Sequence, residues 1–106
     1  MPAVVETIGC SIVEEALGVA LIQFTAYAEA RIQRRRLSKE LVLMVLDAPE
    51  QVIEEDDERM VAQSRLTDAN SGQQRLLRVV YEQHEDQKIV ITAYETSKMR
   101  KYWRAP

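Results

Sequence analysis

Nine of the arginines, lysines and tyrosines form a set that could hold and work on a phosphate: Arg31, Arg35, Arg78, Tyr81, Tyr94, Lys98, Arg100, Lys101 and Tyr102. Arginines clamp phosphate oxygens and stabilise charge that builds up in a transition state. A lysine or tyrosine moves a proton only where nearby cations lower its pKa. The set suits metal-free RNA cleavage, in which the neighbouring 2′-OH attacks the phosphodiester. On this reading Arg78, Tyr94 and Lys98 are the candidate catalytic residues, and Arg31, Arg35 and Arg100 the candidate phosphate binders. Arg78 stands mid-strand between Leu77 and Val79, so its charge needs a partner or a ligand. An ion pair with Glu82 or the acidic run is the stronger expectation there. Arg31 and Arg35 have a competing structural role, holding the acidic 54–58 segment beside their helix.

Other chemistries fare worse. His84 is the sole histidine, in the connection QHEDQ, where a solvated turn outweighs a hard-ion site. The run EEDDE lacks the spaced oxygen ligands of a calcium loop. The glycines Gly9, Gly18 and Gly72 stand alone and form no phosphate-cradling loop. Cys10, the single cysteine, excludes an internal disulfide and reads as a small apolar residue. No cofactor or metal is expected.

These residues must be positioned by one domain of 106 residues, which buries about 60–65% of the surface its unfolded chain exposes. Net charge is −3, which argues weakly against a generic nucleic-acid coat. Its distribution says more: DAPEQVIEEDDE (47–58) carries seven acids and no base, and RIQRRRLSK (31–39) five bases and no acid. Four more bases lie between Lys98 and Arg104. The opening residues lack a basic n-region, and Glu6, Glu14 and Glu15 interrupt their apolar stretches. A signal peptide or membrane span is not expected, and the cytoplasm is the default.

The elements read as a short helix over 11–17, a strand over 19–24, and a helix over TAYAEARIQRRR capped by Thr25, with Arg34 to Arg36 spread around it. LSKELVLMVLDAPE is a second helix, capped by Ser38, stopped by Pro49 and buried on most sides. The period then changes to two. QVIEE, RMVAQSRL, RLLRVVYE and KIVITAYE read as strands of an antiparallel meander. One face takes the helices, and the tail or a partner partly covers the other. TSKMRKYW closes the chain as a short helix capped by Thr96, or as a strap, with Met99, Tyr102 and Trp103 packing along one side. The fold class is α+β: two N-terminal helices on a small antiparallel sheet of three to four strands, with a short C-terminal helix or strap.

The order FTAYAEARIQRRRLSKELVLMVLDAPEQVIEED, RLLRVVYE, KIVITAYETSKMRKYW resembles a bacterial and cyanobacterial family known as domain of unknown function 4258. Its pattern reads H-A-x-x-R-M-x-x-R-G-I-S, a helix ending in N-P-E, an acidic stretch, L-R-V-V-Y and V-x-T-x-Y. Across residues 22–103 the resemblance matches Arg31, Arg35, Ser38, Pro49, Glu50, Arg78, Thr92 and Tyr94 to pattern positions. Tyr27 replaces the usual histidine and Arg36 the usual glycine. A tyrosine, with a reference pKa near 10, is a poor neutral-pH base, so Tyr27 fits a structural ring packed on the sheet. The resemblance implies a fold similar to the RelE/ParE-like toxins, many of which cleave mRNA and are neutralised by an antitoxin. Two functions follow. One is a toxin-like, metal-independent mRNA endonuclease or RNA-binding component of a toxin–antitoxin pair, with RNA and an antitoxin as partners. The other is a non-catalytic protein-interaction module, with a homodimer as one form. Fold alone does not decide between them.

Overall fold

The computed structural model describes residues 10–14, 21–56 and 58–104. Along them run β1 (Cys10–Glu14), β2 (Leu21–Thr25), α1 (Ala26–Arg34), α2 (Lys39–Asp47), β3 (Gln51–Glu54), β4 (Arg59–Thr67), β5 (Gln74–His84), β6 (Gln87–Thr96) and α3 (Met99–Tyr102).

The α+β class holds, but the sheet is larger than expected and mixed. Its order is β1-β2-β6-β5-β4-β3, six strands, with β2 parallel to β6 and every other pair antiparallel. The parallel pair was invisible to a reading of hairpins, because its strands are joined through both helices and the whole meander. The expected helix over 11–17 is overturned in its described part: residues 10–14 pair with residues 21–25 as a hairpin. Residues 15–17 lie outside the described residues.

Thr25 ends β2 and caps α1, its hydroxyl accepting from the Ala28 amide at 3.0 Å and donating to the Val90 carbonyl at 3.3 Å. One side chain thus joins the parallel strand pair to the helix start. The arginine run does not wrap the helix. Helix α1 ends at Arg34, Arg35 is its C-cap, and Arg36 turns into the left-handed region at φ 56°. The Leu37 amide bonds the Ile32 carbonyl and the Arg36 amide the Gln33 carbonyl, a Schellman closure. A glycine there is free of Cβ strain, and arginine is not.

Ser38 caps α2 by accepting from the Leu41 amide at 3.2 Å, and the helix stops before Pro49. It is more one-sided than its run of apolar residues suggested: Val42, Val45 and Leu46 are buried, while Met44 is 64% exposed. Those three join Ile22, Phe24, Ala28, Ile32, Ala62, Leu77, Val79, Tyr81, Val90 and Ala93 in the core between the helices and one sheet face. Tyr27 does not pack on the sheet; it is exposed, with the Arg31 guanidinium 4.7 Å from its ring centroid.

Strand β5 is buried continuously from Leu76 to Tyr81, as a central strand covered on both faces must be. Its far face, away from the helices, is where α3 and the residues after it lie.

Candidate anion site on the far sheet face

Register brings four polar residues into one line across the far face. Gln51 of β3 opposes Gln63 of β4, Gln63 opposes Arg78 of β5, and Arg78 opposes Tyr94 of β6. A row of Ile53, Val61, Val80 and Thr92 runs beside it. Polar groups this deep must be bonded to one another, and they are. Gln63, fully buried, accepts from Arg78 Nε at 2.9 Å and gives its own amide to Gln51 Oε1 at 2.7 Å and the Tyr102 carbonyl at 3.1 Å. Gln51 in turn donates to the Arg104 carbonyl at 2.6 Å and accepts from the Arg104 amide at 3.1 Å. Thus the polar row fastens the segment that follows β6.

Arg78 is 5% exposed. Its Nη1 donates to the Tyr94 hydroxyl, and the Tyr102 ring covers the guanidinium at 4.1 Å from the centroid. The expected ion pair is overturned: Glu82 is engaged with Arg59 at 3.7 Å and His84 at 3.1 Å. Among the described residues no carboxylate faces Arg78; its partners are a neutral amide, a phenol and a ring. Its Nη2 forms no hydrogen bond among them. No polar side-chain atom is buried without a partner there, so this nitrogen keeps contact with solvent.

Arg35 joins from the other side. Strand β2 pairs with β6 only as far as Val90, leaving the following residues of β6 with an open edge. Arg35 fills it, donating to the Ala93 carbonyl at 2.8 Å and to Thr92 Oγ1 at 3.4 Å, with its guanidinium 5.9 Å from the Tyr94 ring. It lines an open cleft of about 450 Å³ with Leu37, Arg75, Tyr94 and Glu95. Arg75 and Glu95 pair at 3.0 Å, so Arg35 is the uncompensated cation of that cleft. Its tie to β6 also overturns the expected pairing with the 54–58 segment. Among the described residues no ion pair joins Arg31 or Arg35 to that segment, and Asp56 instead accepts from the Glu58 and Arg59 amides.

The two tyrosines shift in opposite directions. Burial pushes the Tyr94 hydroxyl up, against the pull of Arg78. Some burial also acts on Tyr102, but Lys101, the Tyr94 hydroxyl and Arg78 together hold it below its ordinary value. Their rings meet edge to face at 6.3 Å. Tyr102 is therefore the better proton carrier of the pair.

Of the six residues singled out from the sequence, Arg35, Arg78 and Tyr94 come together. Arg31 stays on the Tyr27 ring, and exposed Lys98 touches none of the cluster. Exposed Arg100 lines a separate cavity. Thr96 is not the cap of α3: its hydroxyl accepts from the Lys98 amide at 3.1 Å, and Lys98 is the N-cap without a side-chain bond. Gln51 and Gln63 escaped sequence reasoning. The available signal was a lone amide in the middle of RMVAQSRL, which has no reason to sit mid-strand unless a polar group opposes it.

At the opposite end of β5, Glu58, Glu82 and His84 bring ligand atoms within 4.8 Å of one another, but Arg59 already partners Glu82. No helix among the described residues is long and apolar enough to cross a membrane.

The molecule is thus an α+β protein with a mixed sheet whose far face buries an arginine among neutral partners. Residues 24–95 match the family model described as a domain of unknown function (DUF4258), and the chain belongs to that family. No curated protein and no solved structure matches it.

Proposed function

We propose that this chain is a small RNA-binding protein that seats a phosphodiester on Arg78, Arg35, Tyr94 and Tyr102, and that it serves as the toxin-like member of a toxin–antitoxin pair. The observation that carries the reading is the buried guanidinium of Arg78 with no carboxylate beside it among the described residues. Desolvating such a charge costs several kcal/mol, by order of magnitude, and neutral partners recover only part of that. A bound anion supplies the rest. Arg35 adds a second cation across the Tyr94 ring, and single-stranded RNA offers the phosphate with a π-face for the half-buried Tyr94 and Tyr102 rings. In metal-independent cleavage at the same place the 2′-oxygen bonds to phosphorus as the bond to the 5′-oxygen breaks, Arg78 stabilises the charge on the phosphate, and the Tyr102 hydroxyl relays the 2′-OH proton to the leaving 5′-oxygen.

The test is fluorescence anisotropy of a labelled eight-nucleotide RNA with wild type, Arg78→Met and Arg59→Ala, the last a charge-matched control at the start of β4, beside Glu82. Arg78→Met is expected to weaken binding at least about tenfold, and Arg59→Ala to leave it near wild type. Equal affinities for all three overturn the reading. Incubating the same RNA with the protein in a chelator and running a denaturing gel reads cleavage separately.

A protein-interaction module has one observation in its favour. Val52 is 47% exposed on β3, one of the two edge strands of the described sheet, where a partner protein or second copy can add a strand. Light scattering of wild type and Val52→Lys measures it: a dimer lost in the variant supports this second reading.

A further inference from the structure

Resting on the RNA-binding reading, we infer that the cavity beside Trp103 is a nucleobase subsite, so that the ligand is unpaired RNA with one base inserted next to the bound phosphate. The cavity, about 280 Å³, is lined by Arg65, Gln74, Met99, Arg100 and Trp103. That volume accommodates one planar base. Its wall is a fixed stack, with the Arg65 guanidinium 4.5 Å from the Trp103 ring centroid. Arg65 is clamped by Glu50 through two bonds, Nε to Oε1 at 3.1 Å and Nη2 to Oε2 at 2.9 Å, and its amide also bonds Oε1 at 2.8 Å. Its charge is already matched by a carboxylate, so Arg65 contributes a flat surface rather than an anion site.

The other lining groups complete the chemistry of a base pocket. Met99 gives a polarisable apolar contact. The Gln74 amide has both a donor and an acceptor for a base edge. Arg100 makes no ion pair among the described residues and stands exposed at the mouth, where a flanking phosphate passes. Position ties this pocket to Arg78. Arg65 opposes Leu76 and Gln63 opposes Arg78, so Arg65 and Arg78 are diagonal neighbours on one face of adjacent strands. Such positions are about 7–8 Å apart, a step that one nucleotide spans. Tyr102 and Trp103, adjacent in sequence, then cover the phosphate site and the base site in turn.

Trp103 is the only tryptophan of the chain, so its emission reports on the pocket alone. Two signals are followed while wild-type protein is titrated with labelled oligoadenylate, an abasic ribose-phosphate oligomer of equal charge, and polyphosphate: anisotropy for binding, and Trp103 emission for stacking. Oligoadenylate is expected to quench Trp103 with the same midpoint as the anisotropy and to bind about five- to hundredfold tighter than the abasic oligomer. Trp103→Leu, checked for folding by circular dichroism, is expected to bind both oligomers equally. If RNA binds with no quench and no preference over the abasic oligomer, the base pocket is wrong and the phosphate site stands. If no oligomer binds, the phosphate reading falls and this inference with it.

Discussion

Replacing Arg78 by methionine separates a charge kept for a ligand from one kept for the fold. Breaking an ordinary buried ion pair costs about 3–5 kcal/mol, because the surviving partner is left as an uncompensated charge. Here no charge is left behind. Gln63 Oε1, 2.9 Å from Arg78 Nε and fully buried, loses its donor, a penalty of about 1–3 kcal/mol. The Tyr102 ring loses its cation, about 1–2 kcal/mol for a largely desolvated contact. Tyr94 is only half-buried, and water can replace its donor. Against these losses stands relief of the desolvation of a guanidinium at 5% exposure, by order of magnitude several kcal/mol. The methionine chain also refills much of the space. The opposing effects nearly cancel, so Arg78→Met is expected to unfold within about 2 kcal/mol of wild type. Urea titration followed by Trp103 emission measures this. RNA affinity measured on the same samples is expected to fall at least about tenfold. A loss of stability above about 3 kcal/mol with RNA affinity unchanged refutes the reasoning, since that is the signature of a structural charge.

Three further outcomes test the frame around the site. Arg36→Gly removes a left-handed strain of about 1–2 kcal/mol and restores about 0.5–1 kcal/mol of chain entropy to the unfolded state, so it is expected to stabilise by about 0.5–1 kcal/mol, read as a raised urea midpoint. Thr25→Ala loses both the α1 cap and the bond to the Val90 carbonyl, and is expected to cost about 1–2 kcal/mol by the same titration. Hydrogen bonding from the Arg65 side chain and amide holds the Glu50 carboxyl below its ordinary value of 4.5. In acid the unfolded chain therefore takes up that proton before the folded one does. The stability Glu50 contributes is present above about pH 4.5 and is lost as pH falls through its native value. Glu50→Gln is expected to flatten the fall in thermal midpoint between pH 5 and pH 3, and an unchanged slope sinks the assignment.

Much of the frame was legible because local chemistry wrote it. Thr25 and Ser38 are caps whose hydroxyls are needed within a single turn, and Pro49 ends a helix wherever it stands. The strands of the meander announced themselves by their period of two. The parallel pairing of β2 with β6 had no such signal, since it depends on where the two helices return the chain. Arg36 in a left-handed turn runs against its own preference, so the expected helix is two residues longer than the observed one. The polar row was half legible. A mid-strand arginine at Arg78 asks for a partner, but sequence cannot say that the partners are Gln63 and Tyr94 rather than Glu82, because cross-strand register is set by turns far from all of them.

The parallel pairing has a consequence for how the chain acquires its structure. Helices α1 and α2 and the hairpins β4–β5 and β5–β6 are closed by near neighbours. By contrast, the bonds from Gln23 to Gln87 and from Thr25 to Val90 span 64 and 65 residues. Until residue 90 has left the ribosome, the β1–β2 hairpin that carries Ile22 and Phe24 has no meander to join, and α1 lacks the strand β6 that covers its buried side. Distant closures carry a loop entropy that only a preformed template repays. The meander is that template, so β2, though made long before β6, takes its place in the sheet after it.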